Sequence, residues 1–213
     1  LPMPGYEIDI LDADGTVLPA GELGAIAVKL PLPPSCLATI WGADDVYVEK
    51  YFTTFPNYYE TGDAGYSDED GYLYIMARTD DVINVAGHRL STGQLEEVLA
   101  DHPAIAECAV IGVADQLKGQ LPLGLICLYP NCNRLQADIM AEAIALVKNR
   151  VGRVSSFNLI VVIERLPKTR SGKVLRGTMA KIADSENWNM PATIDDPAIL
   201  DEIKTALQSI GYA

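Results

Sequence analysis

The first third of the chain alternates apolar and polar residues. Residues 6–10 and 24–30 both follow this two-residue period, which is typical of β-strands with one buried face. Asp14-Gly15, which lies between them, favours a hairpin turn. Asp70-Gly71 predicts a further turn that leads into a strand over 72–77. This part of the chain is therefore predicted to be β-rich.

After residue 80, helical and strand patterns alternate. Helices are predicted over about 92–101 and 136–151, and strands over 107–113, 123–129 and 159–163. The β-rich pattern and the alternating helix and strand pattern meet at 78–81. The sequence therefore predicts a domain boundary there, with residues 1–79 on one side and 80–213 on the other.

Charge narrows the classes of partner. The chain carries 16 Lys and Arg against 29 Asp and Glu, a net charge of −13, which argues against nucleic acid and acidic membranes as partners. No segment approaches the roughly 18 to 20 apolar residues of a membrane span. The four cysteines show no metal-ligand spacing, so we interpret them as reduced thiols of a cytoplasmic protein, with disulfides as the alternative.

One stretch reverses the overall charge. Residues 165–181 hold six basic residues and no acid, and a local positive field favours an anionic ligand. Ser171-Gly172 is a turn signal, which predicts that Lys173 lies on a loop before a short helix that begins near Val174. A Walker phosphate loop is excluded, because Pro167 and Val174 stand where that motif needs Gly and Ser or Thr. A solvated basic turn is the alternative.

Four motifs occur in a fixed order, namely Tyr59–Asp63, Gly71–Asp81, Asn84–Arg89 and Pro167–Lys173. Together they resemble the acyl-CoA synthetases of the adenylate-forming superfamily, and within it most closely the acetyl- and propionyl-CoA synthetase group. The resemblance runs over nearly the whole chain. It implies an α+β fold, in which a partial β-rich, barrel-like subdomain ends a large N-terminal domain and a small mobile C-terminal AMP-binding-enzyme domain follows.

The resemblance also implies a reaction. A short-chain carboxylic acid, propionate or acetate, reacts with ATP and Mg2+ to give acyl-AMP and pyrophosphate, and CoA then yields acyl-CoA and AMP. Residues 193–197 and 63–66 look closer to propionyl-CoA synthetases. The triphosphate loop and acyl pocket of the family precede this segment, so the N-terminal part of the same enzyme is an expected partner. The chain alone is not expected to adenylate an acid.

For the first step, the resemblance implies that Lys173 bridges the carboxylate substrate and the α-phosphate of ATP. Asp63, read as following a turn at a strand end, would hold the adenylate ribose, with Arg78 as a further contact. Arg89 would neutralise the phosphate, a task that suits a forked cation. A solvated turn for Asp63 and a surface salt bridge for Arg89 are the alternatives.

For the second step, the family pattern makes Asp80 the hinge of a domain rotation that replaces Lys173 by the loop 82–89. Ala86 and Gly87 would line the tunnel for the pantetheine thiol of CoA, and a plain hairpin turn is the alternative. Lys148 would contact the 3′-phosphate of CoA. A basic helix C-terminus explains that residue equally well.

His102 is a candidate ligand of a structural metal, or simply a helix-ending residue before Pro103. Three other functions stay open. The chain could serve an adenylating enzyme of another branch, with a carrier protein or a luciferin-like acceptor. It could be a non-catalytic AMP-binding module, or an acidic structural domain.

Overall fold

A computed structural model describes residues 1–79 and 81–213 in full, together with the backbone at position 80. The chain divides into two compact units, Leu1–Asp80 and Asp81–Ala213. Each unit has its own sheet, so the α+β class predicted from the sequence is confirmed. None of the helices in the described part of the chain is both long enough and apolar enough to cross a membrane.

The first unit is an antiparallel sheet whose strands follow chain order. The strands are β1 (Ile8–Leu11), β2 (Gly24–Lys29), β3 (Tyr58–Ser67) and β4 (Leu73–Arg78), and one helix, α1 (Asp44–Phe52), precedes β3. Within the described residues β1 and β4 are open edges, so the sheet is not barrel-like as predicted. Its core is small and centres on Leu11, Ala27 and Phe55.

The turn at Asp14-Gly15 forms as predicted, but it does not close a regular hairpin. The Asp12 carboxylate accepts the backbone N–H groups of Asp14 and Thr16 at 2.9 and 2.8 Å, and Gly15 has a φ of 81°. Beyond the turn only one bridge forms, between Leu11 and Val17. Further turns lie between this bridge and the next strand, so the strand that pairs with β1 begins only at Gly24.

The second unit is a five-stranded sheet in the order β6-β5-β8-β7, with β9 parallel to β8. Its strands are β5 (Val82–Val85), β6 (His88–Ser91), β7 (Ile105–Asp115), β8 (Gly119–Leu128) and β9 (Leu159–Val162). Its helices are α2 (Thr92–Ala100), α3 (Gln136–Arg150), α4 (Arg176–Ala183) and α5 (Ile199–Gln208). Short 3₁₀ helices span Thr79–Asp81 and Arg153–Ser155.

Both faces of this sheet are covered. Alternate residues of the central strands, such as Ile111 and Leu123, pack in one cluster with α4 and α5. Their neighbours, such as Val110 and Ile126, pack in a second cluster with α2 and α3. Because successive side chains of a strand point to opposite faces, two buried faces make the whole strand apolar. This explains why the sequence reads as continuous apolar runs at β7 and β8.

Candidate functional site

The loop that carries Lys173 is held by its own backbone. Thr169 donates its backbone N–H to the carbonyl of Lys173 at 2.8 Å. In the reverse direction, the N–H of Lys173 donates to the hydroxyl oxygen of Thr169 at 3.0 Å. Gly172, with a φ of 84°, closes the turn by donating to the carbonyl of Thr169. The Lys173 side chain is exposed, and no described acid forms an ion pair with its ammonium. A rigid loop therefore presents an available cation.

Other basic residues of the same stretch are neutralised by acids from elsewhere in the fold. The ion pairs are Lys168 with Glu107 at 2.7 Å, Arg176 with Glu96 at 2.7 Å, and Arg165 with Asp196 at 2.7 Å and Glu202 at 2.8 Å. The stretch therefore does not act as one positive field, as its sequence suggested. Two of these pairs instead fasten the loop at both ends, through Lys168 before Lys173 and Arg176 after it.

The pair between Glu96 and Arg176 joins three elements. The Arg176 guanidinium donates to both carboxylate oxygens of Glu96, at 2.8 and 2.7 Å, and the same carboxylate accepts the N–H of Val110 at 2.8 Å. The hydrogen bond to Glu96 is the main cause that raises the pKa of Arg176. A bidentate contact of this kind fixes orientation as well as distance. It ties α4 to α2 and β7.

A β-hairpin carries the second candidate loop. Strands β5 and β6 are joined by the two-residue turn Ala86-Gly87, whose φ angles are +50° and +88°. Two positive φ angles define a type I′ turn, which matches the twist of the flanking strands. A Cβ atom added at Gly87 would meet no atom within 4 Å, so its backbone is open to solvent. Arg89 follows on β6 and pairs in register with Asn84.

Asp63 lies within β3, not after a turn at a strand end, so that part of the prediction is wrong. Gly62 has a φ of 77°, yet the strand continues through it and pairs Asp63 with Arg78 of β4. Their side chains meet at 3.4 Å between carboxylate oxygen and guanidinium nitrogen, and both are partly exposed. A Cβ at Gly62 would lie 2.6 Å from the Arg78 guanidinium. The missing side chain at Gly62 therefore admits Arg78 next to Asp63.

Only some of the basic residues at the C-terminal end of α3 could bind a phosphate. Arg150, in the last turn, forms an ion pair with Asp101. Lys148 is half-buried, and no described acid pairs with it. Arg153 is exposed in the following 3₁₀ helix. Lys148 and Arg153 therefore stay candidates for a phosphate, whereas Arg150 is already engaged.

Both ring nitrogens of His102 already have protein partners. One lies 3.2 Å from the Glu142 carboxylate, and the other accepts the N–H of Ala104 at 3.2 Å. The Arg134 guanidinium, together with His102, holds the pKa of Glu142 below its usual range. In the part of the chain that the structure describes, no three His, Cys, Asp or Glu side chains form a group that could hold a metal ion. The arrangement favours the helix-ending interpretation, and His102 does not fit a metal ligand. The predicted hinge, Asp80, lies outside the residues whose side chains are described.

Comparison with known proteins identifies the second unit. Residues 94–173, from α2 to the candidate lysine, match the family model of the AMP-binding enzyme C-terminal domain. The chain carries an AMP-binding enzyme C-terminal domain.

Relatives extend this likeness over nearly the whole chain. An acyl-CoA synthetase short-chain family member 3, mitochondrial, of Mus musculus is 44% identical over 97% of this chain and 30% of its own length. The propionate–CoA ligase of Escherichia coli is 42% identical over 98% of this chain and 34% of its own length. The resemblance to the acetyl- and propionyl-CoA synthetase group is therefore confirmed. The chain spans about a third of the length of these relatives.

A solved structure shares the fold. The o-succinylbenzoate CoA synthetase of Bacillus subtilis, solved with an acyl-adenylate intermediate, has a TM-score of 0.64 and 29% identity. The match covers 89% of this chain and 36% of that one.

Sequence reasoning missed the acids that anchor the lysine loop of this AMP-binding enzyme C-terminal domain. Glu107 lies 61 residues from Lys168 along the chain, and Glu96 lies 80 residues from Arg176. Such pairs depend on strand register and helix docking, which no local pattern reports. The only available signal was the excess of basic residues in a chain that is acidic overall.

The charges of these ion pairs act on two thiols, those of Cys108 and Cys127. All four cysteines are free, and Cys127 is buried whereas Cys108 is partly exposed. Burial, followed by the charge of Glu96, raises the pKa of Cys108 to about 11. Burial, followed by Glu107, raises the pKa of Cys127 to about 11. Both thiols are therefore neutral at ordinary pH.

We expect both thiols to resist alkylation in the folded protein at pH values near 8. A rise of the pKa from 9.0 to about 11 lowers the thiolate fraction by about a hundredfold. The measurement is iodoacetamide labelling of native and urea-unfolded protein, followed by mass spectrometry.

The pH dependence separates the pKa effect from simple shielding. In the folded protein, labelling should keep rising through pH 9 to about 11, whereas shielding alone would let it level off near 9. The unfolded thiols ionise at a lower pH than the folded ones. Ionisation of the thiols therefore leaves the free energy of unfolding unchanged below pH 9 and lowers it as the pH rises towards about 11. Labelling that levels off near pH 9 in the native protein would contradict the raised pKa.

Proposed function

We propose that the protein carrying this chain is an ATP-dependent short-chain acyl-CoA synthetase. It converts propionate or acetate, ATP and CoA into acyl-CoA, AMP and pyrophosphate through an acyl-AMP intermediate. The observation that carries the proposal is the exposed Lys173 on a loop that is anchored at both ends. Support comes from the relatives that are acyl-CoA synthetases and from the matching domain, which ends at this lysine.

In the first step Lys173 acts by charge. The carboxylate and the triphosphate repel each other, and negative charge grows on the equatorial oxygens of the phosphorus in the transition state. An ammonium held between the two anions stabilises that state more than the separated substrates. No proton transfer is required of Lys173. Mg2+ would enter with ATP and shield the phosphate charge.

We assign the nucleotide contacts to the first unit and to β6. Asp63 would accept hydrogen bonds from the ribose hydroxyls, and its distance of 3.4 Å from Arg78 leaves the carboxylate able to accept others. Arg89 would face the phosphate of the adenylate. Substitution of Asp63 or Arg89 would test these two roles.

In the second step the Ala86-Gly87 turn would replace Lys173 at the acyl-AMP. A turn without bulky side chains leaves room for the pantetheine thiol beside the backbone. Asp80 would serve as the hinge of that domain rotation, and Lys148 would contact the 3′-phosphate of CoA. The N-terminal part of the same enzyme would supply the triphosphate loop and the acyl pocket.

The cellular compartment is a separate question. We infer a cytoplasmic protein from the free thiols, whereas the relative from Mus musculus is named as mitochondrial.

The function is tested with the full-length protein and a series of acids. Acetate, propionate and butyrate are compared in an assay of CoA-dependent AMP release. We expect release with acetate or propionate, and the larger rate with propionate. AMP release that needs no CoA would indicate another branch of adenylating enzymes, and no release with any acid would contradict the proposal.

Lys173→Ala should abolish the first half-reaction and spare the second. We expect acid-dependent pyrophosphate exchange to fall by about a hundredfold or more, because one transition-state charge contact is lost. Conversion of synthetic acyl-AMP to acyl-CoA should continue. Lys181→Ala, an exposed lysine on α4, is the matched control and should leave both rates unchanged. Equal loss of both half-reactions in Lys173→Ala would remove the assigned role.

Gly87→Leu should have the opposite effect. We expect pyrophosphate exchange to persist and thioester formation to fall by about a hundredfold, because a side chain would fill the path of the thiol. The φ of 88° strains any substitution, so Gly87→Ala is the control that carries the same strain with little bulk. The informative quantity is the difference between the two variants. If Ala and Leu slow the thioester step equally, backbone strain and not tunnel blockage is responsible.

A further inference from the structure

The Ala86-Gly87 turn needs support from outside itself. A type I′ turn favours Asn, Asp or Gly at both central positions, because both require a positive φ. Here the first position is Ala86, with a φ of 50°. An L-residue with a Cβ atom is disfavoured in this region. The conformation of the turn must therefore be imposed by its neighbours.

Two hydrogen bonds hold the turn directly. The carboxamide oxygen of Asn84 accepts the N–H of Gly87 at 3.0 Å, and the carbonyl of Lys118 accepts the N–H of Ala86 at 2.8 Å. The first depends on where Asn84 lies. The second brings the tip of the β7–β8 hairpin against the turn.

Gln120 holds Asn84 in turn. Its side-chain oxygen accepts the backbone N–H of Asn84 at 2.9 Å. In an antiparallel pair, hydrogen-bonded and free positions alternate, so a residue next to the closing pair of a hairpin points its N–H away from the partner strand. The pairing of β5 with β8 stops at Val85 and Gly119. The Gln120 side chain therefore continues the ladder by one bond where the backbone of β8 does not.

Gly112 on β7 leaves space for the side chain of Gln120. A Cβ atom at Gly112 would lie 3.1 Å from the amide nitrogen of Gln120 and 3.3 Å from its amide carbon. The φ of Gly112 is not in the left-handed region, so its backbone does not require glycine. What the absence of a side chain provides is room for Gln120 to lie against β7.

We propose that Gln120 is a positioning residue for the thioester-forming step. It does not touch the substrates. It fixes Asn84, which fixes Gly87, and so it sets the path that the thiol of CoA would follow. The inference rests on the proposed function, and it adds a residue that none of the four motifs contains.

The test uses the full-length protein with three variants. Gln120→Leu removes the acceptor, Gln120→Glu keeps a carbonyl-type oxygen at the same place, and Gln116→Leu is the control. Gln116 lies on the same hairpin, is exposed, and its side chain makes no hydrogen bond among the described residues. The two half-reactions are measured as pyrophosphate exchange and as thioester formation from synthetic acyl-AMP.

Gln120→Leu should slow thioester formation by about tenfold to a hundredfold, since small misplacements have effects of this size, and leave pyrophosphate exchange unchanged. Gln120→Glu should restore most of the lost rate, and Gln116→Leu should behave as the unmodified protein. A merely structural role would lower both half-reactions together. Equal losses, or no loss in Gln120→Leu, would overturn the proposal.

Hydrogen exchange supplies a readout that does not depend on activity. Gln120→Leu should speed amide exchange in the peptide that covers residues 82–91, and Gln116→Leu should not. Unchanged exchange would overturn the positioning role even if the enzyme is active. A protein without CoA-dependent activity would contradict the proposed function, while faster exchange would still support the hold of Gln120 on the turn.

Discussion

The antiparallel ladder between β7 and β8 determines where the candidate groups of the second unit lie. It runs from the pair Ile105 and Leu128 to the pair Asp115 and Gly119. Near its open end, Glu107 pairs with Lys168, and the N–H of Val110 donates to Glu96, the partner of Arg176. At its tip, Lys118 and Gln120 hold the hairpin turn. A shift of one residue in either strand would turn the side chains of that strand, such as Glu107 of β7 or Gln120 of β8, to the other face.

Burial of both faces of β7 and β8 disfavours any other register. Helices α2 and α3 cover one face and α4 and α5 the other, so a shifted strand would exchange two sets of fully buried side chains. Large side chains in a close-packed core tolerate such exchanges poorly. The loops need no large core of their own, because each is attached to this ladder by a few hydrogen bonds and ion pairs. The stability of the sheet is what gives the exposed loops their geometry.

Much of the sheet could be predicted because burial leaves a strong local pattern. The apolar runs at β7 and β8 and the helical face of α3 all appear where periodicity placed them. Helix α5 was missed, although Ile199, Ile203 and Leu207 repeat every four residues and are buried. Asp63 was misplaced because Thr61-Gly62 has the composition of a turn, and pairing with β4 overrides that local preference.

The candidate site was predictable in part for a different reason. Lys173 and the turn at Gly87 belong to contiguous motifs, so a short window of sequence contains them. The side chains that hold them are distant in sequence. Gln120 lies 36 residues from Asn84, and its partner is a backbone N–H, which leaves no signature in residue type. Residues that touch substrates can be read from motifs, whereas residues that position them need the fold.

The spacing along the ladder bears on the proposed domain rotation. The lysine loop is anchored at Glu107, and Gln120 pairs with Ala114. A strand advances about 3.3 Å per residue, so the attachment of Gln120 lies about 23 Å along β7 from the Glu107 anchor and about 13 Å from the Val110 anchor.

The two loops are therefore attached to different parts of the same ladder. An acyl-AMP has a single reacting carbon. If both loops act on it, the second unit has to change its orientation between the two half-reactions. Rotation of the second unit, with Asp80 as the proposed hinge, would let the two loops act on that carbon in turn while each keeps its attachment to the ladder.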